Sequence, residues 1–248
     1  MNDSLKKAFE QAATENYWSD KDSVSGPGSN LIQTRVIRQE IPKLLKNYGI
    51  KKMLDAPCGD LFWMKELREE LSKMLVQYIG ADIVPSLVES NRQKYEDKKF
   101  SFVNLDIIHD QVPNVDLIFT RDCFIHLSYS NILAILRNYE NSGSKYLLVS
   151  TYTRLSRKNK NVDGFFLYGR MLNMSKFPFY FPKPLELIVE GCTEVIGDEN
   201  FTDKSLGLWR LSDLNLNRLY FNIRLLALYK KAELVPLKIN RFLKSMFS

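Results

Sequence analysis

Two apolar stretches of this chain each end in an aspartate, and the first of them leads into a tight turn. Residues 51–54 precede the segment Asp-Ala-Pro-Cys-Gly-Asp at 55–60, and residues 77–81 precede Asp82. The pattern predicts a strand, a turn at Gly59, a helix and a second strand parallel to the first. Ligands of open parallel sheets bind beyond the carboxyl ends of the strands. Both aspartates should therefore lie at one ligand-binding edge.

The same alternation of strand and helix patterns continues along the chain. Strands are expected at residues 51–55, 77–83, 100–105, 115–120 and 146–151. Helices are expected from Pro85, which suits a first helical turn, and at residues 30–47, 61–76 and 129–141. Two late apolar runs, 185–189 and 205–211, suggest an antiparallel sheet edge. The sequence therefore predicts an α/β fold with a doubly wound, Rossmann-like, mostly parallel sheet and helices on both faces.

Three segments differ from this pattern. Residues 1–30 are polar and then rich in Ser and Gly. Residues 154–184, within a main domain at 31–212, are basic and then aromatic, and we expect them to form a substrate lid. Residues 213–248 form a basic amphipathic tail that carries +5 of the net charge of +6. Such a tail fits an anionic membrane surface, its own domain or the twin subunit of a homodimer.

Composition excludes several classes of protein. The chain has 248 residues, 45% of them apolar, which suits one large domain with a full core. It has no apolar run of about 18 residues and no signal-peptide pattern, so we expect a cytoplasmic protein. Its three cysteines lack the spacing of zinc sites, so no metal is expected. Charge outside the tail is nearly balanced, so no nucleic-acid partner is expected.

The turn after the first strand favours a cationic nucleoside over a dinucleotide. It contains one glycine, Gly59, and not the GxGxxG fingerprint of dinucleotide sites. Asp55 and Asp60 would lie unfavourably close to a pyrophosphate. Both suit a ligand that carries an ammonium and a sulfonium group.

Two further strand ends carry candidate ligand contacts. Asp82 is the candidate for the hydroxyls of a ribose, and Ile83 beside it offers an apolar surface for the base. Asp106 ends the third strand, where it could accept a hydrogen bond from an adenine amino group. Acids at three successive strand ends together indicate a nucleoside pocket.

Four short motifs together resemble a known enzyme family. They are Leu-Asp-Ala-Pro-Cys-Gly-Asp at 54–60, Gly-Ala-Asp-Ile-Val at 80–84, Asn-Leu-Asp at 104–106 and Asp-Leu-Ile-Phe-Thr-Arg-Asp-Cys-Phe-Ile-His-Leu at 116–127. Their order, within a match over residues 23–212, looks like that of class I S-adenosylmethionine-dependent methyltransferases. More narrowly, it resembles the PCGD-type bacterial methyltransferases associated with capsule and lipopolysaccharide biosynthesis. Pro57 stands where many class I enzymes have glycine.

The resemblance implies a seven-stranded sheet with an antiparallel last strand and S-adenosyl-L-methionine as cofactor. It implies that Asp55 and Gly59 line the methionine part. Residues 25–35 resemble the family's N-terminal cover of the cofactor, with Arg35 as a partner for its carboxylate. Together with the residues above, the expected cofactor contacts are Arg35, Asp55, Pro57, Gly59, Asp60, Asp82, Ile83, Asp106 and Arg121.

Asp122 and His126 follow the fourth strand, where an acceptor should meet the methyl group. A histidine can accept a proton from a hydroxyl near neutral pH, so these two residues are the catalytic candidates. The alternative is that His126 only caps a helix or packs under the sheet. Arg121 could instead orient an anionic substrate or only form a surface salt bridge. Aromatic and cationic residues suit a sugar or a phosphorylated sugar, and the candidate substrate contacts are Tyr17, Asn161, Asp163 and Arg170.

The sequence thus predicts a methyltransferase that acts on a hydroxyl of a glycan precursor or a related small metabolite. Three alternatives stay open: a nicotinamide-dependent oxidoreductase, a nucleic-acid methyltransferase and a catalytically silent cofactor-binding subunit. The absent GxGxxG counts against the first, and the nearly neutral body of the chain counts against the second.

Overall fold

A computed structural model describes residues 2–164 and 167–232 of the chain. The α-helices are α1 (Asn2–Thr14), α2 (Arg35–Asn47), α3 (Arg68–Lys73), α4 (Pro85–Tyr95), α5 (Tyr129–Asn141) and α6 (Leu216–Ala232). The strands are β1 (Lys52–Asp55), β2 (Gln77–Asp82), β3 (Phe100–Asn104), β4 (Leu117–Thr120), β5 (Tyr146–Tyr152), β6 (Glu186–Val189), β7 (Val195–Ile196), β8 (Glu199–Asn200) and β9 (Lys204–Arg210). Short 3-10 helices occupy Pro27–Ser29, Met64–Leu67, Phe124–His126 and Leu211–Asp213.

Seven of these strands form one sheet in the order β3-β2-β1-β4-β5-β9-β6. Neighbouring strands from β3 to β5 pair in parallel, whereas β9 pairs antiparallel with both β5 and β6. Strands β7 and β8 form a separate two-stranded hairpin. The predicted seven-stranded, mostly parallel sheet with an antiparallel last strand is confirmed.

The strands are apolar on both faces because helices cover both faces. Along β1, Met53 belongs to the core on one face and Leu54 to the core on the other. Along β5, Leu147 and Leu148 alternate in the same way. Helices α2, α3 and α4 pack on the Met53 face, and α1, α5 and α6 pack on the Leu54 face. The period of two along each strand thus places alternate side chains in two cores.

The direction of the chain across the sheet changes at β1. From β1 the chain proceeds to β2 and β3 on one side and then returns to β4 and β5 on the other. Such a reversal leaves a crevice beyond the carboxyl ends of the central strands. Asp55 and Asp82 are the last residues of β1 and β2 at this edge.

The helix expected at residues 61–76 is much shorter in the structure. It is reduced to the 3-10 turn at Met64–Leu67 and to α3. Leu61 and Leu75 both have left-handed backbone angles, with φ of +60°. A right-handed helix cannot pass through such residues, so the apolar spacing overestimates its length.

The N-terminal segment also differs from the prediction. Helix α1 forms in residues that the composition marks only as polar, and its Leu5 and Ala12 are buried. The helix expected from residue 30 begins at Arg35. The Asn30 Oδ1 accepts hydrogen bonds from two backbone N–H groups that follow it, both at 3.0 Å, and this turn delays the helix.

The segment 154–184 contains no helix or strand among its described residues. Its aromatic cluster, expected to suit a sugar, is partly core instead: Phe179 and Phe181 are buried beneath the sheet. The Trp209 indole N–H donates to the Pro182 carbonyl at 2.7 Å, which holds this part of the segment against β9. Hydrophobic burial, and not ligand binding, therefore explains these two aromatic side chains.

The C-terminal tail is described as far as residue 232. Helix α6 packs Leu219, Ile223 and Leu226 on the core, so this part of the tail docks on its own domain. Residues 233–248, which complete the predicted tail, lie outside the described residues. Within the part of the chain that the structure describes, no helix is both long and apolar enough to cross a membrane.

Candidate functional site

A cavity that is partly open to solvent lies beyond the carboxyl ends of β1, β2 and β4. Helix α1 contributes Leu5, Phe9 and Ala13 to its wall. Ten residues that the sequence predicts for the site line this cavity: Asp55, Pro57, Gly59, Asp60, Asp82, Ile83, Asp106, Arg121, Asp122 and His126. The parallel sheet therefore brings together side chains from four separate segments of the chain.

Asp55 is held at the end of β1 by a tyrosine of the neighbouring strand. The Tyr78 hydroxyl donates to Asp55 Oδ2 over 2.6 Å, and both side chains are buried. Burial raises the pKa of Asp55 to about 7, and the hydrogen bond from Tyr78 opposes this rise only in part. A cation placed beside this carboxyl group would therefore favour its ionisation near neutral pH.

Asp82 connects the ends of the first two strands. Its Oδ2 accepts a hydrogen bond from the Gly59 backbone N–H, and its Oδ1 accepts one from the Val84 N–H, each at 3.0 Å. Burial raises the pKa of Asp82 to about 6 despite these bonds. Each carboxylate oxygen still has a lone pair for a ligand. Asp82 thus fixes the turn at Gly59 and can also accept hydrogen bonds from hydroxyl groups.

The N-terminal segment covers the turn at Gly59 directly. Asp60 Oδ1 accepts hydrogen bonds from the hydroxyls of Ser23 (3.0 Å) and Ser25 (3.2 Å), and its Oδ2 accepts one from the Val24 N–H (3.0 Å). A Cβ added to Gly59, which has φ of +56°, would overlap the Ser25 hydroxyl. Asp60 therefore lines the cavity and also holds the N-terminal segment over it.

Apolar side chains surround the part of the cavity next to Asp106. The Asp106 carboxylate accepts a hydrogen bond from the Ile108 N–H (2.9 Å) and lies 2.9 Å from His109 Nδ1. The neighbouring lining residues are Ile83, Val84, Leu87, Leu105, Ile107 and Ile108. An apolar slot with one carboxylate at its edge suits a heterocyclic base with an amino group.

Four charged side chains meet at the other end of the cavity, of which Arg121, Glu190 and Lys204 are buried and Asp122 is partly exposed. The Arg121 Nη2 donates to Glu190 Oε2 at 2.7 Å, and Lys204 Nζ lies 2.6 Å from Asp122 Oδ2. The same Arg121 nitrogen donates to the Gly28 carbonyl at 2.8 Å. These four side chains, which we call the charge cluster, balance one another. They also connect the N-terminal segment to the ends of β4, β6 and β9.

Asp122 is a fixed negative charge in the cavity wall. Burial alone would raise its pKa, but Lys204 and Arg121 outweigh this effect and hold the pKa well below its ordinary range. Its backbone is left-handed, with φ of +52°, and its N–H donates to the Ser150 hydroxyl at 2.9 Å. A carboxylate paired in this way does not take up a proton near neutral pH. Its contribution to the site is therefore electrostatic.

His126 lies in the turn after β4, against aromatic residues of the N-terminal segment. Its ring centroid is 6.0 Å from that of Phe9 and 5.8 Å from that of Trp18. The Trp18 indole N–H donates to the Leu167 carbonyl at 2.9 Å, which fixes the indole in place. His126 also lowers the pKa of Asp122, so the two side chains interact electrostatically. The cavity thus has a histidine bordered by aromatic rings and a fixed carboxylate.

Searches of protein-family models and of curated proteins gave no match to this chain. Solved structures did match. An S-adenosylmethionine-dependent methyltransferase from Anabaena variabilis gives a TM-score of 0.55 at 15% identity, over 82% of this chain and 93% of that one. Two structures of the methyltransferase domain of bacterial CtHen1 give TM-scores of 0.52 and 0.50 at 16% and 17% identity, over 73% of this chain and 98% and 100% of theirs. The chain has the methyltransferase fold.

Two of the residues predicted for substrate binding hold a loop of this methyltransferase fold in place. The Arg170 guanidinium donates to the backbone carbonyls of Lys160 (2.7 Å), Ile125 (2.8 Å) and Leu127. Asn161 Oδ1 accepts a hydrogen bond from the backbone N–H of residue 129 at 2.8 Å. Neither side chain lines the cavity. Arg170 thus connects the loop to the turn that contains His126, and Asn161 connects it to the first residue of α5.

Three other predicted residues also lie outside the cavity lining. Arg35 is exposed at the first residue of α2, and Asp163 is exposed in the loop. Tyr17 packs edge-on against Trp18 and Tyr168, with ring centroids 5.9 and 5.7 Å apart. Tyr17 therefore supports Trp18, a residue of the cavity wall, from outside, and the structure does not bring Arg35 or Asp163 to the cavity.

Sequence reasoning missed four residues around the cavity: Phe9, Trp18, Glu190 and Lys204. Trp18 was visible as a large aromatic residue in a polar segment, but without a partner that indicates a site. Glu190 and Lys204 lie at the ends of two predicted strands, which is the signal that identified Asp55 and Asp82. Because β9 runs antiparallel, its first residue lies at the edge where the parallel strands end.

Proposed function

We infer that the protein is an S-adenosylmethionine-dependent methyltransferase that methylates a hydroxyl of a small metabolite, and more narrowly of a sugar used in bacterial surface polysaccharide. The charge of the cavity lining is the main support for this function. The methyltransferase fold supports the reaction class. The resemblance of residues 54–60 and 116–127 to PCGD-type enzymes supports the narrower acceptor.

The cavity lining is strongly acidic. Five aspartates line it, whereas Arg121 is the only Lys or Arg among its described lining residues, and Arg121 is paired with Glu190. S-adenosylmethionine carries an ammonium and a sulfonium group, which carboxylates attract. The pyrophosphate of a dinucleotide would be repelled by the same carboxylates. Electrostatics therefore favours the methyl donor over a nicotinamide cofactor.

The lining residues fit the three parts of this donor. Asp82 has free lone pairs for the ribose hydroxyls, and the apolar slot beside Asp106 suits the adenine. Asp55, at the end of β1, would face the ammonium group of the methionine part. When bound, the donor supplies an electrophilic methyl group on its sulfonium sulfur. Pro57 and the turn at Gly59 would border that sulfur from the β1 side.

His126 is the proposed proton acceptor. It would take the proton of the acceptor hydroxyl as the new C–O bond forms, and the nearby Asp122 carboxylate would stabilise the resulting imidazolium. Lys204 and Arg121 keep Asp122 ionised throughout. A general base contributes about 10²–10⁴-fold to the rate, whereas alignment of the two reactants can supply roughly 7–11 kcal/mol. The cavity walls that align the reactants therefore matter at least as much as the base.

The aromatic residues beside His126 suit a small, ring-shaped acceptor. Phe9 and Trp18 offer flat apolar surfaces, on which the apolar face of a sugar can pack while its hydroxyls point to the histidine. Helix α1 and Trp18 also form part of the cavity wall at this end. A small acceptor fits such an end better than a strand of nucleic acid does.

Mass spectrometry can test the reaction directly. Sugar phosphates and nucleotide sugars are incubated with the protein and with S-adenosylmethionine whose methyl group carries deuterium. We expect a labelled methyl ether on at least one sugar, and about 10²–10⁴-fold slower labelling with His126→Ala. Labelling only of nucleic acid or protein in a complete cell extract, with no labelled small molecule, would contradict the proposed acceptor class.

A further inference from the structure

The outward face of α6 differs from that of an ordinary surface helix. The opposite side of the helix packs on the core, so this face is turned to solvent. There Phe221 is 64% exposed, Leu228 is 60% exposed and Tyr220 is 43% exposed. Outward faces of helices in globular proteins usually carry polar side chains. Three large apolar side chains close together on one exposed face indicate a partner that covers them.

All charged residues of α6 are basic. The helix contains Arg218, Arg224, Lys230 and Lys231 and no Asp or Glu. The acidic residue just before it, Asp213, has its own partner, since it lies 3.9 Å from Arg210 Nη1. The sequence at 233–248 adds three basic residues and one acidic residue. The partner of this face should therefore be anionic.

A groove between α5 and α6 borders the same face. The guanidinium carbons of Arg137 and Arg224 lie 5.1 and 5.8 Å from the ring centroid of Tyr220. The described residues that line the groove include His109 and no acidic side chain. Two guanidinium groups beside one groove suit the oxygens of a phosphate group. The groove thus adds an anion-binding element to an apolar face.

We propose that the α6 face, defined by Tyr220, Phe221, Arg224 and Leu228, binds the surface of an anionic lipid bilayer. Phe221 and Leu228 enter the boundary between headgroups and acyl chains. Arg224 and the neighbouring Arg137 contact lipid phosphates at the level of the headgroups. The protein then lies on the membrane surface with its methyltransferase cavity formed entirely by other elements.

Other occupants fit the α6 face less well. In a twofold contact between two copies of the chain, α6 would face α6, and its cations would find no acidic side chain on the partner helix. A nucleic acid would supply phosphates but no aliphatic environment for Leu228. An anionic bilayer supplies both the negative charge and the apolar interior. This binding is independent of whether the protein transfers methyl groups.

Co-sedimentation of the full-length protein with vesicles tests the proposal. One vesicle contains phosphatidylcholine alone, and the other contains equal parts of phosphatidylcholine and phosphatidylglycerol. We expect the protein to pellet only with the anionic vesicles and to dissociate in about 1 M salt, where charges are screened over about 3 Å. Phe221→Ser/Leu228→Ser should weaken the apparent vesicle affinity by about tenfold or more, and Arg224→Glu should weaken it as well.

Ile32→Ser is the matched control, because Ile32 is 72% exposed and lies outside α6. It should bind vesicles like the wild type, and all variants should keep the wild-type melting temperature. Equal binding to both vesicles, no binding to the anionic vesicles, or undiminished binding by Phe221→Ser/Leu228→Ser would overturn the proposal. Two further results would also overturn the proposal. One is a dimer, seen without lipid in analytical ultracentrifugation, that Phe221→Ser/Leu228→Ser abolishes. The other is binding of single-stranded RNA that requires Phe221 and Leu228.

Discussion

The ammonium nitrogen of Lys204 lies 2.6 Å from Asp122 Oδ2 and 3.9 Å from Glu190 Oε2, in the charge cluster at the edge of the cavity. Lys204 is the first residue of β9, and Asp122 follows β4. The antiparallel strand therefore supplies a cation that keeps Asp122 ionised next to His126. Strand β9 contributes to the site as well as to the sheet.

Removal of Lys204 should destabilise the fold. Lys204→Met would leave Asp122 and Glu190 with one buried cation, and breaking a buried ion pair on one side costs about 3–5 kcal/mol. Lys204→Met/Asp122→Asn removes one charge of each sign and should recover most of this loss. Urea denaturation measures the free energy of unfolding of all variants. If the double variant loses as much free energy of unfolding as its two single variants lose together, Lys204 and Asp122 do not couple.

Strand-end acids were predictable from the sequence because a parallel sheet places every strand end at one edge. Asp55 and Asp82 could be assigned to that edge from chain order alone. The position of Lys204 could not, because the predicted antiparallel edge at residues 185–189 and 205–211 does not reveal that β9 inserts between β5 and β6. That order is decided by tertiary packing, which no local pattern encodes.

Helix α1 illustrates the same limit. Its sequence is mostly polar, and it is stabilised by the burial of Leu5 and Ala12 against distant parts of the chain. Phe9 of this helix contacts His126, which lies far away in the sequence, and a contact between such distant residues cannot be predicted from a local pattern. The turns at Leu61 and Leu75 were missed for a different reason, since left-handed leucines are rare and carry no signature.

Gly59→Ala should lose donor binding as well as some stability. The new Cβ would overlap the Ser25 hydroxyl and displace the segment that Asp60 holds over the cavity. Gly49→Ala is the matched control, because Gly49 also has a left-handed backbone (φ +64°) but no atom within 4 Å of the added carbon. Both variants should lose about 1 kcal/mol of stability from backbone strain, and only Gly59→Ala should weaken binding in a calorimetric titration. Equal donor affinity in the two variants would contradict the predicted overlap of the new Cβ at residue 59 with Ser25.

The ligand-free protein should lose stability as pH rises through the range set by its buried aspartates. Asp55 and Asp82 have pKa values of about 7 and about 6 in the folded chain, above the value of about 3.9 for an unfolded chain. Between these values the folded state binds more protons than the unfolded state, so the free energy of unfolding falls with increasing pH. Asp55→Asn should gain stability relative to the wild type from about pH 4 to about pH 7.

Thermal unfolding across this pH range measures that difference. A cationic donor should restore the stability of the wild type at the upper end, because it favours the ionised carboxylates. A constant difference between the melting temperatures of Asp55→Asn and the wild type at all pH values would show that Asp55 does not titrate in this range.

His126→Ala should lower kcat by about 10²–10⁴-fold and leave donor affinity nearly unchanged. The chain has one other histidine, His109, which is exposed and bonded to Asp106, so His109→Gln is the matched control. The control should retain most of the wild-type kcat in the methyl-transfer assay. Wild-type turnover by His126→Ala would leave this residue with a packing role against Phe9 and Trp18.

Isothermal titration calorimetry with S-adenosylmethionine and with NAD tests most directly whether the acidic cavity binds a cationic nucleoside. The wild type and Glu70→Gln, which changes an exposed carboxylate on α3, should bind S-adenosylmethionine alike, and Asp82→Asn should bind it at least about tenfold more weakly. NAD should give no binding heat with any of the three. Tight binding of NAD, or equal affinity of Asp82→Asn and the wild type for S-adenosylmethionine, would contradict the proposed site.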